Sequence, residues 1–106
     1  MKKYSILAII FVFFSSQSFA ETATFKVLKN DPRKYTEESV RLKTTKGDIL
    51  VYSVYMSPKN YRVFKSLKKD QCFAMTINGK FKKYDNTYAV GQLKNIKNVK
   101  CSNQNL

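Results

Sequence analysis

The C-terminal part of the chain, residues 72–101, reads CFAMTINGKFKKYDNTYAVGQLKNIKNVKC and carries the signals that decide the fold. Its first segment, residues 72–77, alternates large apolar and smaller side chains, and residues 88–99 continue a less regular strand-like pattern. A turn between the two segments makes them one long antiparallel hairpin. The chain holds two cysteines and begins with an export signal, described below, so we expect a Cys72–Cys101 disulfide. If the two cysteines lie opposite each other in the hairpin, its turn falls between Asn86 and Thr87.

A second turn signal, Asn78-Gly79, lies inside the same stretch. The cysteine register places this dipeptide within the hairpin, where it predicts a bend, a bulge or an extra short turn. Because a bulge needs a residue that tolerates unusual backbone angles, Gly79 and Gly91 are its expected positions.

Three β-prone segments precede the hairpin. Residues 24–29 form the first predicted strand, and a loop over residues 31–38 follows it. Residues 40–44 alternate apolar and basic side chains, and residues 49–56 are rich in β-branched and aromatic residues. A tight turn at 46–48 joins these two segments into a hairpin.

A helix is predicted between the third strand and the C-terminal hairpin. Ser57 can cap the free N–H groups of its first turn, and Pro58 is well tolerated at the first helical position. Over residues 58–69, Tyr61, Phe64 and Leu67 recur at helical spacing. These three side chains are therefore expected to plug one end of the β structure.

The order of three strands, a helix and two further strands resembles the OB-fold, a five-stranded Greek-key barrel. Residues 67–81 and 91–96 are similar to the helix end and the last two strands of such domains. The resemblance implies a mainly β, OB-like barrel with one short helix between strands 3 and 4. The alternative is a small α+β antiparallel sheet with one helix packed on its face.

The first twenty residues have the pattern of a secretory signal peptide. Lys2 and Lys3 precede an apolar run over residues 6–14, and Ser18-Phe19-Ala20 offers small residues for cleavage. The apolar run is far shorter than the roughly 20 residues that span a bilayer. We expect a signal peptide over 1–20, a single domain over 21–106 with flexible last residues, no stable membrane span, and a periplasmic or secreted location.

Composition narrows the class of function. The 106 residues hold 20 Lys+Arg, 7 Asp+Glu, two Cys and no His, for a formal charge of +13. Loss of Lys2 and Lys3 with the signal leaves a net charge of about +11. The absence of His excludes Ser-His and Cys-His pairs, and two cysteines cannot build a four-ligand zinc site. No metal and no cofactor are therefore expected.

One short motif has catalytic precedent. Ser66 and Lys69 match Ser-x-x-Lys, a spacing that places both side chains on one helical face. The seven carboxylates are scattered, and the short chain leaves little room for a cleft. We expect no enzyme activity.

Basic residues interleave with aromatic residues in the strands and near the turns, a mixture that suits an anionic ligand. The predicted contact surface combines the outward-facing positions of the strands with the segment before the second turn, namely Arg41, Lys43, Tyr52, Tyr55, Lys80, Lys82, Lys83 and Tyr84.

The sequence predicts an exported binding module, first of all one that contacts an envelope or secreted protein through a basic face. Two other classes stay open. One is a glycan- or receptor-binding subunit of a secreted toxin-like assembly, and the other is a binder of lipopolysaccharide, another polyanion or single-stranded nucleic acid.

Overall fold

A computed structural model describes residues 20–102. The expected signal peptide lies outside the described residues except for Ala20, and so do residues 103–106. The described chain contains seven strands: β1 Ala20–Lys29, β2 Ser39–Thr44, β3 Gly47–Tyr52, β4 Cys72–Asn78, β5 Lys83–Tyr84, β6 Thr87–Val90 and β7 Leu93–Val99. One helix, α1 Pro58–Ser66, lies between β3 and β4, and short 3-10 turns span Pro32–Lys34 and Ser53–Tyr55.

The strands form one mixed sheet in the order β5-β6-β3-β2-β1-β4-β7. All neighbours are antiparallel except β3 and β6, which run parallel. Three features agree with the sequence prediction: the fold is mainly β, the described residues contain a single helix, and this helix follows the third strand. The expected number of five strands is wrong, and the parallel pair departs from the antiparallel sheet of the alternative.

The long strand β1 serves two partners. Its residues up to Lys26 pair with β4, whereas Val27 and Lys29 pair with β2. The register shifts between these last two residues, where Leu28 is inserted as a bulge. Because a bulge bends the strand, β1 can leave one partner and join the other.

The C-terminal hairpin explains the difference in strand number. Both of its long strands are interrupted, at residues 79–82 and 91–92, where Gly79 and Gly91 lie. The turn is formed by Asp85 and Asn86, which both adopt positive φ angles of 50° and 64°. Asp and Asn tolerate this conformation better than other side chains do. The predicted turn was one residue too late in the chain.

The disulfide is confirmed, with Cα atoms of Cys72 and Cys101 5.2 Å apart. The expected direct pairing of the two cysteines is wrong, because Cys72 is opposite Val99 in the β4–β7 ladder. Cys101 therefore lies beyond the end of β7 and ties the chain after the strand to the start of β4.

Helix α1 begins as predicted but is shorter. The Ser57 hydroxyl accepts a hydrogen bond from the Asn60 N–H at 3.1 Å, and Pro58 is the first helical residue. Phe64 and Leu67 are buried as expected, whereas Tyr61 is exposed and Asn60 is buried. The buried face of α1 therefore includes Asn60 in place of the predicted Tyr61.

The core forms on one side of the sheet, beneath α1. Val40 and Leu42 point into it, as the alternation of β2 predicts. The largest fully buried side chains include Phe25, Phe64 and Phe73. Their burial supplies the main favourable term in folding, because apolar surface leaves water.

The strand β3 ends earlier than predicted. Its last residue is Tyr52, and the 3-10 turn Ser53–Tyr55 replaces the expected continuation. The β2–β3 turn consists of residues 45–46, and Gly47 follows with a φ of 133°. A Cβ atom at Gly47 would lie 2.9 Å from the Asn86 carbonyl oxygen, so only glycine fits between the two turns.

Candidate binding face

The alternation of β2 and β3 creates a solvent-facing surface on the side of the sheet opposite the core. On β2, Arg41 and Lys43 point outward because their neighbours point inward. The residues opposite them on β3 are Leu50 and Asp48, respectively. The Lys43 amine lies 4.0 Å from the Asp48 carboxylate, and Lys43 is largely exposed, so this ion pair contributes little to stability.

The pairing registers align five residues in a row across the sheet. In order across the sheet, the row consists of Lys29 on β1, Lys43 on β2, Asp48 on β3, Thr87 on β6 and Tyr84 on β5. Neighbouring strands lie about 4.8 Å apart, so the row extends about 19 Å. We call this side of β2, β3, β5 and β6 the outer face.

A second and a third row complete the outer face. Arg41 is opposite Leu50, which is opposite Ala89 on β6. Tyr52 is opposite Ser39 at the end of β3. The face thus combines cations near β2 with exposed tyrosine rings at two of its borders.

Four of the predicted contact residues share the outer face, namely Arg41, Lys43, Tyr52 and Tyr84. Lys83 does not, because it precedes Tyr84 in β5 and successive side chains alternate between faces. Its amine donates a hydrogen bond to the Lys46 carbonyl oxygen at 2.9 Å and lies 5.5 Å from the centre of the Tyr88 ring.

The other three predicted residues lie outside the strands. Tyr55 belongs to the 3-10 turn after β3, and Lys80 and Lys82 flank Phe81 in the connection from β4 to β5. The Phe81 N–H donates to the Glu21 carboxylate at 2.6 Å, and its ring packs edge-on against Phe25. Phe81 therefore anchors this connection, while the two flanking lysines are exposed.

A small depression opens at the β1–β2 end of the outer face. Its lining consists of Lys29, Asp31, Lys34, Arg41, Leu42 and Lys43. We call it the basic depression. The prediction from sequence missed Lys29 and Lys34. Lys29 comes close to Lys43 only through the β1–β2 pairing, and Lys34 reaches the depression only through the 3-10 turn.

The wall of the basic depression is held by its own acidic residue. The Asp31 carboxylate caps the 3-10 turn by accepting the Arg33 N–H at 3.2 Å, and it accepts the Arg33 side chain at 3.0 Å. The side-chain hydrogen bond from Arg33 lowers the pKa of Asp31 below its ordinary value. Asp31 is therefore charged at neutral pH and directed to Arg33.

Two neighbouring side chains fix this wall to the helix. The Asn30 side-chain amide donates to the carbonyl oxygens of Phe64 and Leu67, both at 2.9 Å. The Tyr35 hydroxyl donates to the Asn30 side-chain oxygen, and the Tyr35 ring packs against Phe64. Residues 30–35 are thereby tied to the C-terminal end of α1.

Tyr35 gives this anchor a measurable pH dependence. Burial raises the pKa of Tyr35 to about 12. Since the folded pKa exceeds the unfolded value near 10, the contribution of Tyr35 to stability is complete below about pH 10 and is lost as pH rises toward 12.

We expect an ultraviolet absorbance titration of the wild-type protein to show a late tyrosine ionisation step near pH 12, and Tyr35→Phe to remove that late step. A Tyr84→Phe control should keep that late step, because the strongly exposed Tyr84 ring is not part of the anchor to α1. An unchanged late step in the Tyr35→Phe protein would contradict the assignment.

Comparisons of the chain with protein-family models, with curated proteins and with solved structures gave no match. Within residues 20–102, no helix is long and apolar enough to cross a membrane. Nor do three potential metal-ligating side chains come together in that part of the chain.

Proposed function

We propose that this chain is an exported binding module that recognises an anionic macromolecular partner through its outer face. The first candidate is an envelope or secreted protein with an acidic surface. The observation that carries the proposal is the alignment of Lys29 and Lys43 beside Arg41, with Tyr52 and Tyr84 at the borders of the same face.

The physical basis is complementary charge combined with aromatic contact area. Basic side chains attract and orient an anionic partner, and exposed tyrosine rings offer apolar contact with a polar tip. The excess of positive charge over the whole chain strengthens the attraction at long range. A single basic face therefore serves both encounter and contact.

The proposed architecture is an OB-like barrel. If β4 and β5 count as one interrupted strand, and β6 and β7 as another, the chain has five strands with α1 between the third and the fourth. The strand order supports the count of five strands. The pair β5–β6 lies at one end of the sheet and the pair β4–β7 at the other, and along the chain β5 follows β4 and β7 follows β6. OB barrels bind their ligands on the face of strands 2 and 3, where the outer face lies.

A non-enzymatic role agrees with the residues around the Ser-x-x-Lys motif. Helix α1 ends at Ser66, so Ser66 and Lys69 do not share a helical face. The Ser66 hydroxyl donates to the Val63 carbonyl oxygen at 2.8 Å. The geometric reason for expecting a Ser-Lys pair is therefore lost.

Export is supported by the disulfide. A Cys72–Cys101 bridge persists in the periplasm or outside the cell, whereas cytosolic thiols are kept reduced. In the proposed compartment, the available anionic partners are envelope proteins, lipopolysaccharide and acidic glycans.

The outer face is tested with a pair of charge-matched variants. Arg41→Gln/Lys43→Gln removes two cations from the outer face, and Lys59→Gln/Lys97→Gln removes two exposed cations from α1 and β7. We expect the first variant to bind an acidic protein probe, polyglutamate, about tenfold more weakly, and the control to lose about twofold, because only the first loses direct charge contacts.

The measurement is a fluorescence anisotropy titration at several salt concentrations. Polyglutamate, an acidic glycan, lipopolysaccharide and single-stranded DNA are compared in parallel. If polyglutamate binds most tightly and loses most affinity in the Arg41→Gln/Lys43→Gln variant, the result supports a protein partner. If another probe shows this behaviour, the partner belongs to the chemical class of that probe. Equal losses in both variants would overturn the outer face as a specific site.

A further inference from the structure

The basic depression is small enough to hold one chemical group. Its volume is about 110 Å³. Pockets that enclose a whole small-molecule ligand measure about 300–1,000 Å³. The depression is therefore too small for such a molecule but has room for a single charged group of a larger partner.

Within the described residues, few acidic groups offset the cations of the basic depression. Asp31, the one acidic residue in the lining, is bonded to Arg33. Within residues 20–102, no carboxylate lies within 4.0 Å of the charged groups of Lys29, Lys34 or Arg41, and Lys43 has only the distant Asp48. Several positive charges thus surround one concavity without a matching number of negative charges.

The strand pairing makes this arrangement unfavourable by itself. Lys29 and Lys43 are directly opposite each other in the β1–β2 ladder. Like charges in directly opposed positions destabilise a sheet. A bound anion would remove this repulsion, and the more charge it carries, the more completely it would do so.

We infer that the basic depression is a subsite for a phosphate monoester group, which carries close to two negative charges at neutral pH. Arg41 offers a planar fork that matches two phosphate oxygens, and Lys29, Lys34 and Lys43 supply point charges around them. A lone carboxylate would leave most of the positive charge uncompensated. The inference rests on the proposed function, because it assigns a ligand group to one end of the outer face.

The probe is glycerol phosphate, with acetate as the carboxylate control at constant ionic strength. We expect saturable amide NMR shifts confined to residues 29–34 and 41–43, and about tenfold weaker effects of acetate. The affinity for glycerol phosphate should rise between about pH 5 and pH 7.5, as the second proton leaves the ester. Acetate that binds equally well, or a pH-independent affinity, would overturn the subsite.

The variant Lys29→Gln/Lys34→Gln removes two cations of the depression and leaves Arg41 and Lys43 in place. We expect about tenfold weaker binding of glycerol phosphate, with the thermal midpoint unchanged or raised, because opposed like charges are removed. Lys59→Gln/Lys97→Gln is the charge-matched control and should change the affinity less than about twofold. Equal losses in the two variants would attribute the binding to net charge and overturn the proposal.

Two sources could present the phosphate group, and vesicles distinguish them. Retention on phosphatidic acid vesicles but not on phosphatidylcholine vesicles, abolished by Lys29→Gln/Lys34→Gln, assigns the group to a lipid headgroup. Binding of glycerol phosphate without vesicle retention assigns it to a soluble partner. If Arg41→Gln/Lys43→Gln weakens polyglutamate binding while glycerol phosphate gives no localised shifts, the subsite is refuted and the proposed function stands.

Discussion

Replacing Asn30 by Asp is expected to lower the free energy of unfolding by about 2–4 kcal/mol. The Asn30 amide donates to the carbonyl oxygens of Phe64 and Leu67, at the C-terminal end of α1. An ionised Asp has no donor for these oxygens and places a negative charge against the negative end of the helix dipole. The substitution therefore replaces two attractive contacts with repulsive ones.

The pH dependence of this variant separates charge from packing. The surrounding carbonyl oxygens favour the neutral acid, so the folded pKa of the new Asp should lie above its unfolded value. The carboxyl group then costs little stability at pH values below the unfolded pKa of about 4, and its cost grows as pH rises through the folded pKa.

Urea unfolding at acidic and neutral pH gives the result directly. Asn30→Ala, which removes the donors without adding charge, should lose a smaller and pH-independent amount. Asn98→Asp is the matched control on the exposed surface and should change stability by less than about 0.5 kcal/mol. An Asn30→Asp protein as stable at neutral pH as the Asn98→Asp protein would refute the anchoring role.

The same variant connects stability to the candidate site. Asn30 lies immediately before the 3-10 turn that contributes Lys34 to the basic depression. If the anchor fails, residues 30–35 lose their attachment to α1, and the wall of the depression is no longer held in place. Weaker binding of glycerol phosphate by Asn30→Asp would then accompany its loss of stability.

Local patterns were sufficient to predict part of this molecule. The outward direction of Arg41 and Lys43 follows from the period of two in β2, and the start of α1 follows from Ser57 and Pro58. Each of these features depends on residues within one turn or one strand. The disulfide was predictable because export and an even cysteine count favour it.

Features that depend on register were not predictable. A one-residue change in the hairpin turn decides that Tyr84 is on the outer face and Lys83 on the other side. The pairing of Lys29 with Lys43 depends on the bulge at Leu28, for which the sequence carries no turn signal. Likewise, the two carbonyl oxygens that accept from the Asn30 amide belong to residues more than thirty positions away in the chain.

Loss of the Cys72–Cys101 disulfide is expected to lower the free energy of unfolding by about 3–4 kcal/mol. The bridge joins residues 29 positions apart and holds the end of β7 against the start of β4. In the chain-entropy account, closing a loop of this length restricts mainly the unfolded chain. Domains of this size have total stabilities of only about 5–15 kcal/mol, so the loss is a large fraction of the whole.

Two routes to the open bridge distinguish the unfolded-state effect from lost packing. Reduction of the wild-type protein keeps both sulfur atoms, whereas Cys72→Ala/Cys101→Ala also removes the Cys72 side chain from its buried site. We expect both proteins to keep the native circular dichroism spectrum, to unfold at lower urea concentration, and to show a steeper dependence on urea, because the unlinked chain exposes more surface. The alanine variant should be the less stable of the two by about 1 kcal/mol, the cost of the vacated volume. If the reduced protein unfolds at the same urea concentration as the oxidised one, the bridge contributes nothing to stability. If the reduced protein has no native structure, β4 and β7 cannot stay paired without the bridge.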